Sequence, residues 1–251
     1  MTNIAVHREP KQRSQRAWRA WASCGALAVC TGGMIGLAQA HDAALKVSWD
    51  RASALSPDAQ AALRQVFATD DNAGAPFIVI DKRRARMWVF DARGHPSGST
   101  PVLLGFARGD DSVPGIGDKP LSKVRPGERT TPAGRFVGEH GRNLKGQDII
   151  WVDYDAAVSM HRVKDVHKSD RREQRLRTPS IADNRISYGC INIPKAFYEQ
   201  VLVPVVGPAQ PVVYVLPETR PVVTIFNGAR RSAPPAGDPA TKREGDRHGI
   251  G

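Results

Sequence analysis

The chain contains little cysteine, with three residues among 251. Cys24 and Cys30 lie in an N-terminal segment with the features of an export signal, so Cys190 is expected to be the only cysteine of the mature chain. A single thiol has no intramolecular disulfide partner, which excludes a fold held together by disulfides. In an oxidising compartment an unpaired thiol is a liability unless it is buried, paired between chains, or used in chemistry. Cys190 is therefore the first candidate for a functional residue.

Long apolar runs are absent after residue 40, so no stable membrane span is expected once the signal has been removed. The first 40 residues carry five Lys/Arg against one acid, then an apolar run over 24–37, and end in Ala38-Gln39-Ala40. This order of basic, apolar and small residues is typical of a secretory signal peptide. The run is also short for a membrane helix, which needs about 20 residues. We therefore predict a signal peptide over 1–40 and an exported protein of the periplasm or cell envelope.

A strong excess of positive charge is present, with a formal net charge of +11. Such a surface favours anionic partners or is simply a solvated face. Export argues against nucleic acid as the partner and favours the anionic polymers of a bacterial envelope. The Gly115-Ile116-Gly117 stretch is too short for a phosphate-binding fingerprint and lacks the strand-turn-helix context.

Short β-type runs dominate the middle of the chain, after a lead-in over 41–75. The lead-in predicts one helix, because Ser56 is a suitable N-cap and Pro57 suits the first helical position. The sequence predicts strands at 77–80, 87–90, 102–106, 135–137, 149–152, 157–160 and 210–216, with a further possible strand at 222–226. Residues 107–134 have no apolar period and predict a long loop of the kind that is often functional.

A polar stretch over 162–186, called the basic segment below, separates His161 from Cys190. It holds eight Lys/Arg and four acids, and it predicts one or two helical turns near 171–177 that end before Pro179. A short helix is predicted over 194–202. A C-terminal extension over 217–251 follows the last main strand, and from about residue 230 its composition predicts disorder.

Thiol chemistry at Cys190 requires a group that accepts the thiol proton. His161 follows an apolar strand and would be rigidly placed, whereas His167 lies within the basic segment. We favour His161 as the base, and His167 remains the alternative. Gly189 allows a close turn before the nucleophile. The backbone amides of Tyr188, Gly189 and Cys190 are the expected donors to a developing oxyanion.

Two sequence elements resemble the L,D-transpeptidases of the YkuD type, the cysteine enzymes that remodel bacterial peptidoglycan. Ser187-Tyr188-Gly189-Cys190-Ile191-Asn192 is similar to the family's Ser/Thr-His-Gly-Cys element, and Thr131–Phe136 is similar to its Thr-Pro-x-Gly-x-Phe element. The resemblance covers about 76–216, taken as the catalytic domain. It implies a mainly β fold, a compact sandwich or barrel-like domain with a few short helices.

The chain departs from the family pattern at two places. Tyr188 replaces the usual histidine before Gly189, and the interval between His161 and Ser187 is longer than usual. The family's base is the upstream histidine, which corresponds to His161, so the resemblance still implies a working pair. The extra residues of the basic segment have the composition of an inserted lid.

The resemblance implies an enzyme that forms a thioester on Cys190 from a peptidoglycan stem peptide, without a metal or organic cofactor. Ser187, Asn192 and Arg135 are further candidates for substrate contact or support of the site. Two alternatives stay open. One is a hydrolase on the same scaffold, an L,D-carboxypeptidase or a peptidoglycan–protein amidase. The other is a non-catalytic envelope-binding module.

Overall fold

The structure is a computed structural model that describes residues 55–165 and 167–227. The predicted signal peptide, the first part of the predicted lead-in and the tail beyond about residue 230 lie outside the described residues. Among the helices that the structure does describe, none has the length and apolar character needed to cross a membrane.

Eleven strands in the described residues form three sheets. The strands are β1 (Phe77–Asp81), β2 (Arg86–Phe90), β3 (Pro96–Pro101), β4 (Leu104–Gly105), β5 (Gly134–Val137), β6 (Glu139–Arg142), β7 (Asp148–Asp153), β8 (Val158–Arg162), β9 (Arg185–Ser187), β10 (Ile191–Ile193) and β11 (Val212–Leu216). A five-stranded sheet has the order β3-β2-β1-β11-β5, a four-stranded sheet has the order β10-β8-β7-β6, and β4 pairs with β9.

The two larger sheets share one apolar core. Ile78 and Ile80 of β1 meet Met160 of β8 and Ile191 and Ile193 of β10 in this core. Because side chains alternate across a strand, each sheet turns one row of residues towards the other. The predicted mainly β sandwich is thus confirmed.

The outer face of the five-stranded sheet is covered by helix α1 (Pro57–Thr69). Ser56 caps this helix, since its side chain accepts a hydrogen bond from the amide of Ala59 at 3.0 Å. Leu63 and Val66 of α1 pack with Phe77 of β1, the neighbour of Ile78, on this second face. Both faces of β1 are therefore covered, which explains why its residues 77–80 form a continuous apolar run and not an alternating one.

The remaining helices are short and connect strands. They are α2 (Arg172–Arg177), α3 (Lys195–Phe197) and α4 (Val203–Val206), with the π-helical turn Tyr198–Leu202 joining α3 to α4. The helical turns predicted near 171–177 and 194–202 are confirmed. The long loop between β4 and β5 contains three short 3-10 turns, at Ile116–Asp118, Leu121–Lys123 and Pro126–Glu128.

Two predicted strands were wrong in part. The possible strand at 222–226 is a 3-10 turn (Val222–Ile225), because its buried residues are Val222 and Ile225, three apart, and do not alternate. The strand predicted over 102–106 shrinks to β4, because the chain changes partners there: Val102 donates to the carbonyl of Ala85, whereas Leu103 exchanges bonds with Asn192. Strands β3, β6, β9 and β10 were not predicted.

Candidate active site

A tight turn between β9 and β10 presents Cys190. The hydroxyl of Ser187 donates to the carbonyl oxygen of Cys190 at 2.6 Å and accepts from the amide of Gly189 at 3.1 Å. Gly189 has a φ of +134°, and a Cβ there would lie 2.9 Å from the carbonyl oxygen of Thr130. Only glycine suits this position. The two hydrogen bonds of the Ser187 side chain thus stabilise the conformation of this turn.

The turn corrects one part of the oxyanion prediction. The amide of Gly189 is occupied by Ser187 and is not free to bind an oxyanion. The amides of Tyr188 and Cys190 make no hydrogen bond with any described residue. These two amides are the backbone donors that remain for a developing negative charge.

The thiol of Cys190 is partly exposed, and its sulfur contacts the β7–β8 hairpin. The hydroxyl of Ser159 donates to Sγ at 3.7 Å, and Sγ lies 3.6 Å from the carbonyl oxygen of Ala157. Burial raises the pKa of the thiol. The hydrogen bond and charge of His161, with the amide and hydroxyl of Ser159, act in the opposite direction and leave this pKa below its ordinary value.

His161 lies on β8 with 8% of its surface exposed, next to β10. Its Nδ1 lies 2.8 Å from the carbonyl oxygen of Arg162. A carbonyl can only accept, so Nδ1 carries the proton of the neutral ring and Nε2 keeps its lone pair. Nε2 is therefore the atom that can take the thiol proton. His167, the alternative base, is exposed and does not line the cavity described below.

Asn192 joins His161 to a residue that the sequence did not single out, Arg172. Nη1 of Arg172 donates to Oδ1 of Asn192 at 2.9 Å. Since the guanidinium can only donate, this bond fixes the orientation of the amide. Nδ2 of Asn192 is then turned towards Nε2 of His161, at 3.4 Å, and towards the carbonyl oxygen of Cys190, at 3.3 Å. Asn192 is fully buried.

Arg172 comes from the basic segment, which therefore forms part of the site. Its side chain is 3% exposed, its amide donates to Oδ1 of Asp165 at 2.7 Å, and its Nε donates to Oδ2 of Asp170 at 3.1 Å. Arg172 and Leu176 are the buried residues of α2. Their spacing of four is the signal in the sequence that would have placed Arg172 on the inner face of this helix.

Thr131 is a second residue whose role emerges from the structure. Its buried hydroxyl donates to the carbonyl oxygen of Gly189 at 2.7 Å and accepts from the amide of Gly105 at 2.8 Å. Its own carbonyl accepts from Nζ of Lys82 at 2.9 Å. The two sequence elements that carry the family resemblance are thus in direct contact.

Lys82 belongs to a buried group of charges beneath the site. Its Nζ lies 2.9 Å from Oδ1 of Asp110 and 3.9 Å from Oε1 of Glu218, whose other oxygen pairs with Arg185 at 2.7 Å. Burial lowers the pKa of Lys82. Asp110 also accepts from the amides of Glu218 and Thr219. These bonds, with the hydroxyl of Thr219 and with Lys82, outweigh burial and hold its pKa well below the usual range.

A cavity of about 310 Å³ opens above Cys190. One part of its wall is formed by the turn over 187–190, called the nucleophile turn below, together with His161, Arg172 and Asn192. The loop over 115–124, the 142–144 end of the β6–β7 hairpin, Trp151 and the 154–157 turn form the rest. In this wall Gly117 comes so close to the 154–157 turn that a Cβ would lie 2.3 Å from the carbonyl oxygen of Asp155.

Of two further residues named from the sequence, Tyr188 lies at the site and Arg135 does not. Tyr188 lines the cavity, and the guanidinium of Arg129 lies 3.9 Å from the centroid of its ring. The structure does not bring Arg135 to the site. Arg135 pairs with Asp71, which also accepts from the hydroxyl of Tyr214, on the α1 side of the five-stranded sheet. This position gives no support to the expectation that Arg135 contacts substrate or supports the site.

No group of three or more His, Cys, Asp or Glu residues that could hold a metal ion is present in the described ranges.

Comparison with protein-family models and with curated proteins found no match. Among solved structures, the chain is similar to the helical cell shape determining protein Pgp2 from Campylobacter jejuni, with 14% identity and a TM-score of 0.39. That match covers 58% of this chain and 49% of the other, so it spans about half the length of the Campylobacter protein. The catalytic domain of an L,D-transpeptidase from Enterococcus faecium is also similar, with 19% identity, coverage of 57% and 98%, and a TM-score of 0.31.

Proposed function

We propose that this chain is a cysteine-dependent acyltransferase that acts on the stem peptides of peptidoglycan as an L,D-transpeptidase. The observation that carries the proposal is the pairing of Cys190 with His161 on the wall of a cavity. The imidazole lowers the pKa of the thiol, and its Nε2 is the unprotonated nitrogen. A thiol with a base of fixed tautomer is the arrangement needed for nucleophilic attack on a carbonyl.

The first half-reaction uses His161 and the groups of the nucleophile turn. Nε2 of His161 takes the proton of Sγ, and the thiolate attacks the carbonyl carbon of an amide that follows an L-centred residue. The amides of Tyr188 and Cys190 stabilise the oxyanion, for which one donor contributes about 2.7–4 kcal/mol in acyl-transfer sites. The C–N bond breaks, the departing amine receives the proton from His161, and a thioester remains on Cys190.

The second half-reaction resolves the thioester. An amine from a second stem peptide attacks the carbonyl carbon, gives its proton to Nε2 of His161, and displaces the thiolate. An amide cross-link forms and the free enzyme returns. No cofactor is required, because every proton moves between the thiol, the imidazole and the two amines.

The sequence elements support this choice of substrate over other amides. Ser187–Asn192 and Thr131–Phe136 resemble the L,D-transpeptidase pattern, and the hydrogen bond from Thr131 to Gly189 joins them. The N-terminal signal and the positive net charge agree with export to an envelope rich in anionic polymers. We therefore place the protein in the periplasm or cell envelope, with stem peptides as its partners.

Mass spectrometry of the mature protein incubated with disaccharide-tetrapeptide tests the proposal, with Cys190→Ala as the matched control. The expected product is a cross-linked dimer that lacks one terminal D-alanine, formed only when the thiol is present. A tripeptide without a dimer would mean that water resolves the thioester, and the protein would be a hydrolase. No thiol-dependent product and no acyl-enzyme mass would favour an envelope-binding module and overturn the proposed chemistry.

A further inference from the structure

Arg172 is a buried cation on the wall of the cavity, and the proposed chemistry gives it no part. We propose that Arg172 binds a free carboxylate of the peptide substrate, so that the site selects peptides with a negative charge near the bond that Cys190 attacks. The inference rests on the proposed function for its choice of a peptide as ligand. It assigns a role to the basic segment, which carries Arg172.

The hydrogen bonds of the guanidinium leave donors unused. An arginine side chain has five N–H donors and no acceptor. Nε donates to Asp170 at 3.1 Å, and Nη1 donates to Asn192 at 2.9 Å. Nη2 has no hydrogen-bond partner among the described residues. Arg172 lines the cavity, and Nη2 is not among the fully buried unpaired side-chain atoms of the described residues, so the free edge of this side chain is open to an acceptor that enters with the ligand.

The other charges of the cavity do not offer an equivalent site. Nζ of Lys119 is held by both oxygens of Glu128, at 2.9 and 2.7 Å. Arg142 is exposed and donates to the carbonyl of Gly146, and an exposed cation contributes little to binding. The carboxylates that line the cavity, Asp118 and Asp155, would repel an anion. Arg172 is therefore the cation best placed to take a carboxylate.

The position of Arg172 is fixed before any ligand enters. Asp165 accepts from its amide and Asp170 from its Nε. A carboxylate that binds the free edge does not have to order this side chain, which removes part of the usual entropic cost. A planar guanidinium can bind a carboxylate through two parallel bonds, so the contact would also orient the peptide relative to Cys190.

Arg172 also orients Asn192, and a purely orienting role would leave no preference for charged ligands. The two roles predict different values for one ratio, the affinity for the free acid divided by the affinity for its amide. A distorted site weakens the binding of every peptide. Loss of a carboxylate contact removes the advantage of the free acid over its amide. The ratio of the two affinities therefore reports the contact and not the general condition of the site.

Calorimetric titration of the Cys190→Ala protein tests the inference with disaccharide-tetrapeptide and with derivatives in which one free carboxylate at a time is a primary amide. We expect one of these amidations to weaken binding about tenfold or more. In the Cys190→Ala, Arg172→Gln protein the same pair should bind with equal affinity. Arg177→Gln is the matched control, because Arg177 lies on the same helix, is exposed and does not line the cavity, and it should keep the preference for the acid.

The outcomes separate this inference from the proposed function, because the titration needs no thiol. An acid-to-amide ratio that Arg172→Gln leaves unchanged overturns the carboxylate site even if the wild type forms cross-links. No binding of either peptide to Cys190→Ala also overturns it. An Arg172-dependent ratio supports the site even if the wild-type protein turns over nothing, in which case the proposed chemistry alone fails.

Discussion

The hydroxyl of Thr131 donates to the carbonyl oxygen of Gly189 at 2.7 Å, one residue before the nucleophile. The same hydroxyl accepts from the amide of Gly105, so a single side-chain atom connects β4, the long loop and the nucleophile turn. Thr131 is fully buried, and no water can replace its hydroxyl without a rearrangement. The position of Cys190 therefore depends on a residue 59 positions away in the sequence.

We expect Thr131→Val to destabilise the protein and to slow the reaction of Cys190. The substitution leaves a buried donor at Gly105 and a buried acceptor at Gly189, each of which costs about 1–3 kcal/mol. Chemical denaturation measures the first effect, and the rate of thiol alkylation measures the second. Thr131→Ser keeps the hydroxyl and is the control. Equal stability of the Val and Ser variants would show that these hydrogen bonds contribute little.

The reactivity of Cys190 should depend on pH in a way that identifies its base. Because His161 lowers the pKa of the thiol, His161→Ala should move the alkylation profile to higher pH. The rate near pH 7 should fall, since the thiolate is the reactive form and a smaller fraction is ionised. His167→Ala should leave the profile unchanged because that side chain is exposed and does not line the cavity. The reverse pattern would assign the base to His167.

Tyr188 stands where the resembling family has a histidine, and its ring carries the guanidinium of Arg129. The hydroxyl of Tyr188 forms no hydrogen bond to a described residue. We therefore expect Tyr188→Phe to keep most of the activity and Tyr188→Ala to raise KM, because only the second change removes the cation–π contact, which contributes about 0.5–1 kcal/mol at accessible sites. Steady-state kinetics of both variants shows whether the ring or the hydroxyl of Tyr188 contributes to activity. A large loss of kcat in Tyr188→Phe would instead give the hydroxyl a chemical role.

Lys82 should be important for stability. Lys82→Met would leave Asp110 and the carbonyl of Thr131 without their buried donor, and loss of one member of a buried ion pair costs about 3–5 kcal/mol. Arg84→Met changes an exposed cation two residues away and should be nearly neutral. Urea denaturation of both variants measures the difference. Similar losses in both would mean that the buried pair contributes no more than a surface charge.

The sandwich and the nucleophile turn can be predicted because each is encoded by residues that are neighbours in the sequence. The apolar runs mark the strands directly, and Ser187, Gly189 and Cys190 act within one turn. Lys82 could not be found in this way, because its partner Asp110 lies 28 residues away along the chain. The spacing of Arg172 and Leu176 marks the inner face of α2, but the contact of Arg172 with Asn192, 20 residues away, depends on the tertiary arrangement.

Arg135 shows how a motif can place a residue on the wrong face. Phe136 packs in the core between the sheets, so its neighbour Arg135 points to the opposite face of the strand. Arg135 pairs there with Asp71, which follows α1. Period-two alternation shows that Arg135 and Phe136 cannot share a face, but it does not say which face carries the site.

The orientation of Asn192 leads to a last prediction, for Asn192→Asp. In the wild type Nδ2 is turned towards Nε2 of His161, which favours a lone pair on that nitrogen. A carboxylate would accept from Arg172 equally well, but its second oxygen would favour a proton on Nε2. His161 could then no longer take the thiol proton at neutral pH. We expect kcat to fall and the acid side of the pH–rate profile to move to higher pH. An unchanged profile would mean that the Asn192 amide does not control the protonation of His161.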